Sequence, residues 1–304
     1  MTVSLCPTFF CAMGCPYCYL GALRDDGRLL PLDRAADVLD EISECARIDE
    51  IAVFGGEVST LGHDYLSGLA SICKLHCPKV GVSTNLADPF VFHCFDSVAV
   101  SLNQERPDYL ATLELVRSCK SPFSVNMVVL PSVVQLFRDG AHVELFDSFS
   151  PHCKSVGLLE YSPSVLQQAP ERFHVSNEDY EFCIKTFIEY SLRNPLGFEN
   201  INLSELVDQH YSPSLFQYVF VGPDGRFGRI EFDERGLERF EWSDTFEKHL
   251  DAAKHEWKRY ANICCKCEYF NNCYLQHVHA EKGKCHGHRE LKRWVDDVLR
   301  KTYK

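Results

Sequence analysis

Three cysteines lie close together near the start of the chain, at Cys11, Cys15 and Cys18, with three and then two residues between them. Thiolates at this spacing can converge on one iron-sulfur cluster while neighbouring backbone amides stabilise its sulfurs. Most electron-transfer clusters use four cysteines, so three ligands leave one iron open for chemistry. The spacing therefore favours a reactive [4Fe-4S] cluster, and the residues alone leave a zinc site or a chance clustering of cysteines as the alternatives.

The stretch around these cysteines resembles a known family. Residues 11–19 run Cys-Ala-Met-Gly-Cys-Pro-Tyr-Cys-Tyr, which resembles the signature of the radical S-adenosylmethionine (SAM) superfamily, with Tyr17 at the aromatic position before the last cysteine. The resemblance implies that the open iron binds SAM. It further implies that the reduced cluster cleaves SAM to methionine and a 5'-deoxyadenosyl radical, which abstracts a substrate hydrogen. An external one-electron reductant such as flavodoxin or ferredoxin is implied as well.

A second motif and several polar residues follow predicted strands. Gly55, Gly56 and Glu57 resemble the family's Gly-Gly-Glu segment, which binds the amino group of SAM, and paired glycines let backbone approach a ligand closely. By the same resemblance, Leu159 is expected to touch the adenine, and five polar residues are expected to contact SAM or substrate. Each polar residue could equally cap its own strand end. The five are Ser83, Asn85, Ser101, Asn103 and Asn126.

A second group of cysteines lies near the other end of the chain. It resembles the C-terminal half of a SPASM domain, which carries auxiliary [4Fe-4S] clusters in peptide-modifying radical SAM enzymes, and it implies one closed auxiliary cluster. Ile230 and His277 stand where a full SPASM domain has cysteines, so the first of its two clusters is expected to be lost. A zinc site, with Cys265 or a nearby histidine as substitute ligand, is the alternative. The expected ligands are Cys264, Cys267, Cys273 and Cys285.

The elements that must position these residues follow from the hydrophobic pattern. Short apolar runs alternate with amphipathic stretches through the first two thirds of the chain, which is typical of strand and helix units around a parallel sheet. The pattern alone allows a partial barrel or an open doubly wound sheet, and the resemblance implies an α/β fold built on a partial (β/α)6 TIM barrel. Helices are predicted at 32–46 and 109–118. Six strands are predicted at 3–5, 50–54, 79–83, 97–101, 123–129 and 155–160.

The sequence pattern of the last third of the chain predicts a second, smaller unit. Ser176, followed three positions later by Asp179, indicates the start of a helix that closes the first domain. A Gly-Pro-Asp-Gly turn between 218–221 and 226–231 predicts a β-hairpin, and a helix-rich, cysteine-rich tail follows it.

A domain boundary is predicted where the pattern changes. Residues 193–202 contain proline, glycine and several asparagines, which interrupt both helix and strand. We therefore expect a radical SAM core at 1–195 and an auxiliary iron-sulfur domain at 196–304.

Composition limits the partners of the chain. Its 304 residues carry 31 Lys and Arg against 43 Asp and Glu, a net charge of -12, which repels nucleic acid and anionic membrane surfaces. The start lacks a basic segment, so no signal peptide is predicted. Of the 16 cysteines, three lie within residues 11–18 and five within residues 264–285, and this clustering indicates metal ligands rather than disulfides. We expect a cytoplasmic enzyme without nucleic-acid or membrane partners.

Two classes of substrate remain open. The SPASM-like tail favours a maturase that crosslinks, dehydrogenates or epimerises a ribosomally made peptide. The chain has little room before Cys11 for a leader-binding domain, so leader recognition is expected from a separate protein. The alternative is a radical SAM dehydrogenase or epimerase acting on a sugar, aminoglycoside or nucleoside. From another class, the chain could be a non-catalytic metal-binding scaffold, which the intact motifs argue against.

Overall fold

Strands and helices alternate through the first half of the chain. The computed structural model describes residues 1–194, 197–207, 218–232, 234, 237–264, 266 and 289–302. All six predicted strands are present, with bounds that differ from the predicted ones by at most two residues. They are β1 Thr2–Leu5, β2 Glu50–Val53, β3 Val80–Thr84, β4 Ser97–Ser101, β5 Phe123–Val128 and β6 Cys153–Leu159.

The helices bury apolar residues that recur at helical spacing. The helix predicted at 109–118 has those bounds, and the helix predicted to begin at Ser176 does so, because the Ser176 hydroxyl accepts a hydrogen bond from the Asp179 N–H at 3.1 Å. Within the described ranges, no helix has the length and apolar character needed to cross a membrane. The helices are α1 Leu32–Cys45, α2 His63–His76, α3 Val91–Cys94, α4 Tyr109–Ser118, α5 Pro131–Arg138, α6 His142–Asp147, α7 Asn177–Arg193, α8 Ile201–Val207, α9 Phe246–Cys264 and α10 Arg289–Thr302.

All described strands belong to one sheet. Four follow the first six: β7 Glu199–Asn200, β8 Tyr218–Val221, β9 Phe227–Phe232 and β10 Glu238–Ser243. The order across the sheet is β10-β9-β8-β1-β2-β3-β4-β5-β6-β7. Neighbours from β8 through β1 to β7 are parallel, and β9 is antiparallel to both β8 and β10. The α/β, partial-barrel fold class is confirmed, with a sheet that is not closed.

The predicted hairpin extends this sheet. The N–H of Gly222 donates to the Arg226 carbonyl at 3.0 Å, and the N–H of Gly225 donates to the Gly222 carbonyl at 2.9 Å. Gly225 has a φ of +72°, a conformation that side-chain-bearing residues rarely adopt. Because β8 pairs in parallel with β1, the hairpin and β10 continue the sheet of the predicted core.

The two faces of the central sheet differ in character. Along β4 and β5, alternate residues are fully buried in the main apolar core beneath the helices, as Val98, Val100, Val125 and Met127 are. The residues between them are small or polar and only half-buried. We call this second surface the inner face, since it forms the concave wall of the partial barrel. Its central members are Ser83, Ala99, Ser101, Ser124, Asn126 and Gly157.

Candidate active site

The loop after β1, which we call the cysteine loop (residues 6–24), carries all three N-terminal cysteines. The N–H of Cys11 donates to the Arg24 carbonyl at 3.0 Å, and the N–H of Cys18 donates to the Cys15 carbonyl at 3.1 Å. These bonds fold the loop back on itself. All three cysteine side chains are half-buried, so the predicted cluster ligands lie in one shielded loop.

Burial disfavours the thiolate forms of the three cysteines when no cation is bound. Burial raises the pKa of all three thiols, and it brings that of Cys15 to about 12, with Arg106 lowering it and Cys18 and Cys11 raising it. Thiolates that raise one another's pKa lie within electrostatic range. Without a compensating positive charge these thiols stay protonated at neutral pH, whereas metal-bound thiolates are deprotonated.

The three thiols of the cysteine loop are the candidate ligands of a metal centre. Among the residues that the structure describes, no three Cys, His, Asp or Glu side chains lie close enough to hold one metal ion. In a [4Fe-4S] cubane each thiolate binds a different iron, so three half-buried thiols in one loop would supply one ligand to each of three irons.

Gly55 and Gly56 dock the end of β2 onto the cysteine loop. The N–H of Gly56 donates to the Thr8 carbonyl at 2.8 Å, and the N–H of Glu57 donates to the Phe10 carbonyl at 2.9 Å. A Cβ on Gly56 would lie 2.0 Å from the Phe10 oxygen, and Gly55 has a φ of +146°. The two glycines therefore permit a close backbone approach to the loop that holds the cysteines, and an approach to a ligand stays a prediction.

The Glu57 carboxylate is buried and joins the ends of β2 and β3. Its Oε1 accepts hydrogen bonds from the N–H and hydroxyl of Ser59 at 2.9 and 2.7 Å and from the Thr84 hydroxyl. Its Oε2 accepts from the N–H of Asn85 at 2.8 Å. Only 4% of Glu57 is exposed, so this carboxylate works as an internal brace, and contact between this segment and SAM stays a prediction.

Two of the predicted asparagines also brace strand ends. The amide of Asn103 donates to the Val128 carbonyl at 2.7 Å and accepts from the Val128 N–H at 3.0 Å, which ties the chain beyond β4 to β5. The Oδ1 of Asn85 accepts from the Ala87 N–H at 3.0 Å. Both residues are buried. The side chains of Asn85 and Asn103 thus bond to backbone groups near strand ends, as expected if these residues serve the fold. Their contact with SAM remains a prediction.

The other predicted residues line the inner face. Ser101 and Asn126 are register partners on β4 and β5, and Asn126 is in turn the partner of Gly157. Ser83 lies on the same face, and Leu159, which is 44% exposed, ends β6. Within the described residues, no hydrogen bond uses the side chain of Ser83, Ser101 or Asn126, so these groups are available to a ligand.

Arg106 is a buried cation beside the cysteine loop that the sequence analysis missed. Its guanidinium donates to both carboxylate oxygens of Asp108, at 2.9 and 2.8 Å, and to the Ser101 carbonyl at 2.7 Å. It is 5% exposed and lowers the pKa of Cys15. The only sequence signal was an Arg two residues before an Asp, five residues after the end of a strand.

A segment after β6, which we call the strap (residues 161–173), covers the cysteine loop. The Tyr17 ring packs edge-on against Phe173 at 6.4 Å between centroids. The Gln167 amide donates to the Tyr17 carbonyl at 2.6 Å and accepts from the Tyr161 hydroxyl at 2.8 Å. Tyr17 therefore lies between the cysteines and the strap.

The strap also reaches the far edge of the sheet. The N–H of Glu238, the first residue of β10, donates to the Pro163 carbonyl at 2.7 Å, and the Val165 N–H donates to the Glu238 carbonyl at 2.9 Å. The Ser162 hydroxyl donates to the Glu238 carboxylate. Burial, together with the nearby Glu160 charge, raises the pKa of Glu238 to about 7.

The predicted auxiliary ligands fall at the edge of the described chain. The backbone of Cys264 ends α9, whereas Cys267, Cys273, Cys285 and His277 lie outside the described residues. Ile230 lies in β9, opposite Phe240 of β10. The auxiliary cluster therefore stays a prediction.

Comparison with known proteins places this site in a family context. Residues 5–117 match the family model described as the Radical SAM superfamily, which is the family that the motifs of this segment resemble. Members of that superfamily are enzymes, and the family implies a [4Fe-4S] cluster and SAM as cofactors. No curated protein sequence is significantly similar to this chain.

Solved structures show a similar fold. SuiB of Streptococcus suis, bound to S-adenosylmethionine, is 14% identical with a TM-score of 0.60, over 90% of this chain and 71% of that one. The protein anSMEcpe with bound AdoMet is 15% identical with a TM-score of 0.64, over 90% of this chain and 88% of that one. At these identities the likeness is one of fold.

Proposed function

We propose that this chain is a radical SAM enzyme whose cysteine loop holds a [4Fe-4S] cluster on Cys11, Cys15 and Cys18. The observation that carries the proposal is the docking of this loop, through Gly55 and Gly56, onto the strand end beside the polar inner face. When bound, the cluster supplies one electron that cleaves SAM and yields a 5'-deoxyadenosyl radical.

The residues of the chain position and shield the reactants. The glycine pair and the Glu57 brace fix the loop relative to β2 and β3, and the strap covers Tyr17 on the other side. Ser83, Ser101 and Asn126 offer unused hydrogen-bonding groups to SAM and substrate. A small-residue wall leaves room for both molecules, and a closed site keeps a reactive radical from water.

We propose a peptide as the substrate. The similar structures include SuiB bound to precursor peptide SuiA and anSMEcpe with AdoMet and the Cp18Cys peptide. Together with the SPASM-like cysteines, these neighbours support an oxidative change to a ribosomally made peptide, such as a crosslink, a dehydrogenation or an epimerisation. The electron source would be a flavodoxin or ferredoxin, and a separate protein would bind the leader.

Release of 5'-deoxyadenosine tests the activity. Anaerobically reconstituted protein, reduced with dithionite and given SAM, is expected to release 5'-deoxyadenosine, measured by liquid chromatography and mass spectrometry. Cys15→Ala should abolish the release, whereas Cys45→Ala, which alters an exposed cysteine on α1, should not. Absence of release from wild-type protein that carries its cluster would favour the non-catalytic scaffold instead.

A further inference from the structure

Helix α8 begins beside the carboxyl end of β6, at the mouth of the partial barrel. The preceding strand β7 pairs in parallel with β6, placing Asn200 opposite Val156. The Asn202 amide then accepts from the Leu158 N–H and donates to the Leu158 carbonyl, both at 2.8 Å. Successive residues of this segment therefore lie beside successive residues of β6. The helix therefore begins beside the carboxyl end of β6, which is the end of the parallel sheet at which the cysteine loop follows β1.

The first residue of α8 faces the inner wall. A Cβ built on Gly157 would meet the Ile201 side chain at 3.4 Å and the Asn126 Oδ1 at 3.2 Å. Asn126 and Gly157 belong to the inner face, so Ile201 packs on that face. Residues four apart share one side of a helix. Glu205 therefore lies on the same side of α8 as Ile201, about 6 Å further along the helix.

The Glu205 carboxylate is shielded without a described partner. The residue is of intermediate exposure, and burial raises the pKa of its carboxyl to about 7. Among the described residues, no hydrogen bond or ion pair engages it. The buried ammonium of Lys292 on α10 bonds instead to the Leu206 carbonyl and, at 3.1 Å, to Asp296. A shielded carboxylate without a donor is unfavourable, and a ligand that supplies a donor relieves that cost.

We propose that Glu205 is a substrate-binding residue whose carboxylate binds a protonated amine or guanidinium of the substrate, beside the free amide of Asn126. This inference rests on the proposed function and adds the chemical class of the substrate. In a peptide, the group is a lysine or arginine side chain or a free N-terminus. In a small molecule, it is an amino group such as that of an amino sugar.

Binding of simple probes tests the proposal on the reconstituted full chain with SAM present. The cationic probes are N-acetyl-lysine methylamide, N-acetyl-arginine methylamide and glucosamine, and N-acetyl-norleucine methylamide is the neutral reference. We expect at least one cationic probe to bind wild type, measured by saturation-transfer NMR titration, and to bind Glu205→Gln at least tenfold more weakly. The norleucine probe should bind both proteins alike. The cationic probe with the highest affinity identifies the source of the charge.

Matched variants separate binding from folding. Glu189→Gln removes a carboxylate of α7 that pairs with Arg193 in a largely exposed position and should leave probe binding unchanged. Glu205→Asp keeps the charge on a shorter side chain and should retain more affinity than Glu205→Gln. The proposal is overturned if Glu205→Gln, folded by circular dichroism, binds the cationic probes as wild type does, or if wild type shows no preference over norleucine.

A second readout distinguishes this proposal from the proposed activity. SAM cleavage without substrate needs the cysteine loop, so Glu189→Gln, which alters an ion pair on α7, should release 5'-deoxyadenosine at the wild-type rate. If wild type binds cationic probes through Glu205 but never cleaves SAM, the proposed activity fails and the binding site stands. If SAM is cleaved but cationic probes show no dependence on Glu205, the binding proposal alone fails.

Discussion

At the scale of single residues, the Glu57 carboxylate connects two strand ends through four internal hydrogen bonds. Glu57→Gln would place an amide N–H₂ against groups that are themselves donors. We expect a loss of about 2 to 4 kcal/mol in the free energy of unfolding, since a buried charged acceptor is removed and donors are left unsatisfied. Urea unfolding measures the loss, and iron content should fall with it because the cysteine loop docks on the same strand end.

The opposite end of the same strands provides the control. Glu50 on β2 pairs with Lys79 beside β3 at 2.8 Å in an exposed position. Exposed ion pairs contribute little, so Glu50→Gln should cost at most about 1 kcal/mol. Equal losses for Glu50→Gln and Glu57→Gln would contradict the brace.

Gly56 permits the contact between β2 and the cysteine loop. In Gly56→Ala the added Cβ would lie 2.0 Å from the Phe10 oxygen, which forces the loop to move. We expect a cost of about 1 to 3 kcal/mol or more, and a cluster absorbance near 400 nm that is reduced or lost after reconstitution.

Gly27 lies just beyond the cysteine loop and provides the matched control for the substitution of Gly56. A Cβ there meets nothing within 4 Å, so Gly27→Ala should be neutral or slightly stabilising. A Gly56→Ala protein that takes up as much iron as Gly27→Ala would show that the docking contact is dispensable.

The sequence predicted which strand ends carry polar residues but not the direction in which they point. Successive residues of a strand face opposite sides of the sheet, and this alternation is present in β3, β4 and β5. Ser83, Ser101 and Asn126 lie on the inner face. Asn85 and Asn103 come after their strands end, where local hydrogen bonds decide their orientation. Those bonds depend on neighbours distant in sequence, such as Glu57 and Val128, so periodicity could not reveal them.

At the scale of elements, the strap leads from the end of β6 to the edge strand β10 and contacts the cysteine loop on the way. It contains no regular strand, and its backbone pairing with β10 is a single bridge at Ser164 and Glu238. Its Gln167 and Ser162 bonds depend on tertiary contacts, which sequence periodicity does not carry. β7 was missed because two residues are too few for a pattern. β10 was missed although Phe240 and Trp242 alternate with charged residues, a period typical of strands.

The buried Glu238 makes the strap contact sensitive to pH. Its folded pKa of about 7 lies above the ordinary value of 4.5, so between these values the folded state binds more protons than the unfolded state. The stability contributed by this group is therefore full below about pH 4.5 and is lost as pH rises toward 7. Glu238→Gln should be more stable relative to wild type at pH 8 than at pH 5, by up to about 3 kcal/mol in urea unfolding.

Glu241 lies on the same strand, and its substitution is the matched control for Glu238→Gln. It pairs with Arg239 in an exposed position, so Glu241→Gln should keep the pH dependence of wild type. If Glu238→Gln also keeps it, then the Glu238 carboxyl titrates normally and the strap is held by its backbone bonds alone.

At the scale of the whole molecule, one sheet spans both predicted units. The pairing of β8 with β1 places the hairpin beside the strand that leads into the cysteine loop. Hydrophobic patterning predicted the hairpin and the parallel core separately, because each has its own local period. The parallel pairing that joins them links residues more than 200 positions apart and has no local signature. The division at residue 195 remains a prediction about domains.

Metal content tests whether the molecule carries two clusters. Wild-type protein reconstituted anaerobically should contain about eight irons per chain, the sum of two cubanes. The triple variant of Cys11, Cys15 and Cys18 to alanine should keep about four if Cys264, Cys267, Cys273 and Cys285 hold a closed cluster. Since that cluster would have no open iron, its electron paramagnetic resonance signal after reduction should not change on addition of SAM. About four irons and one zinc in wild type, with zinc alone left in the triple variant, would overturn the auxiliary cluster and leave the SAM-binding site untouched.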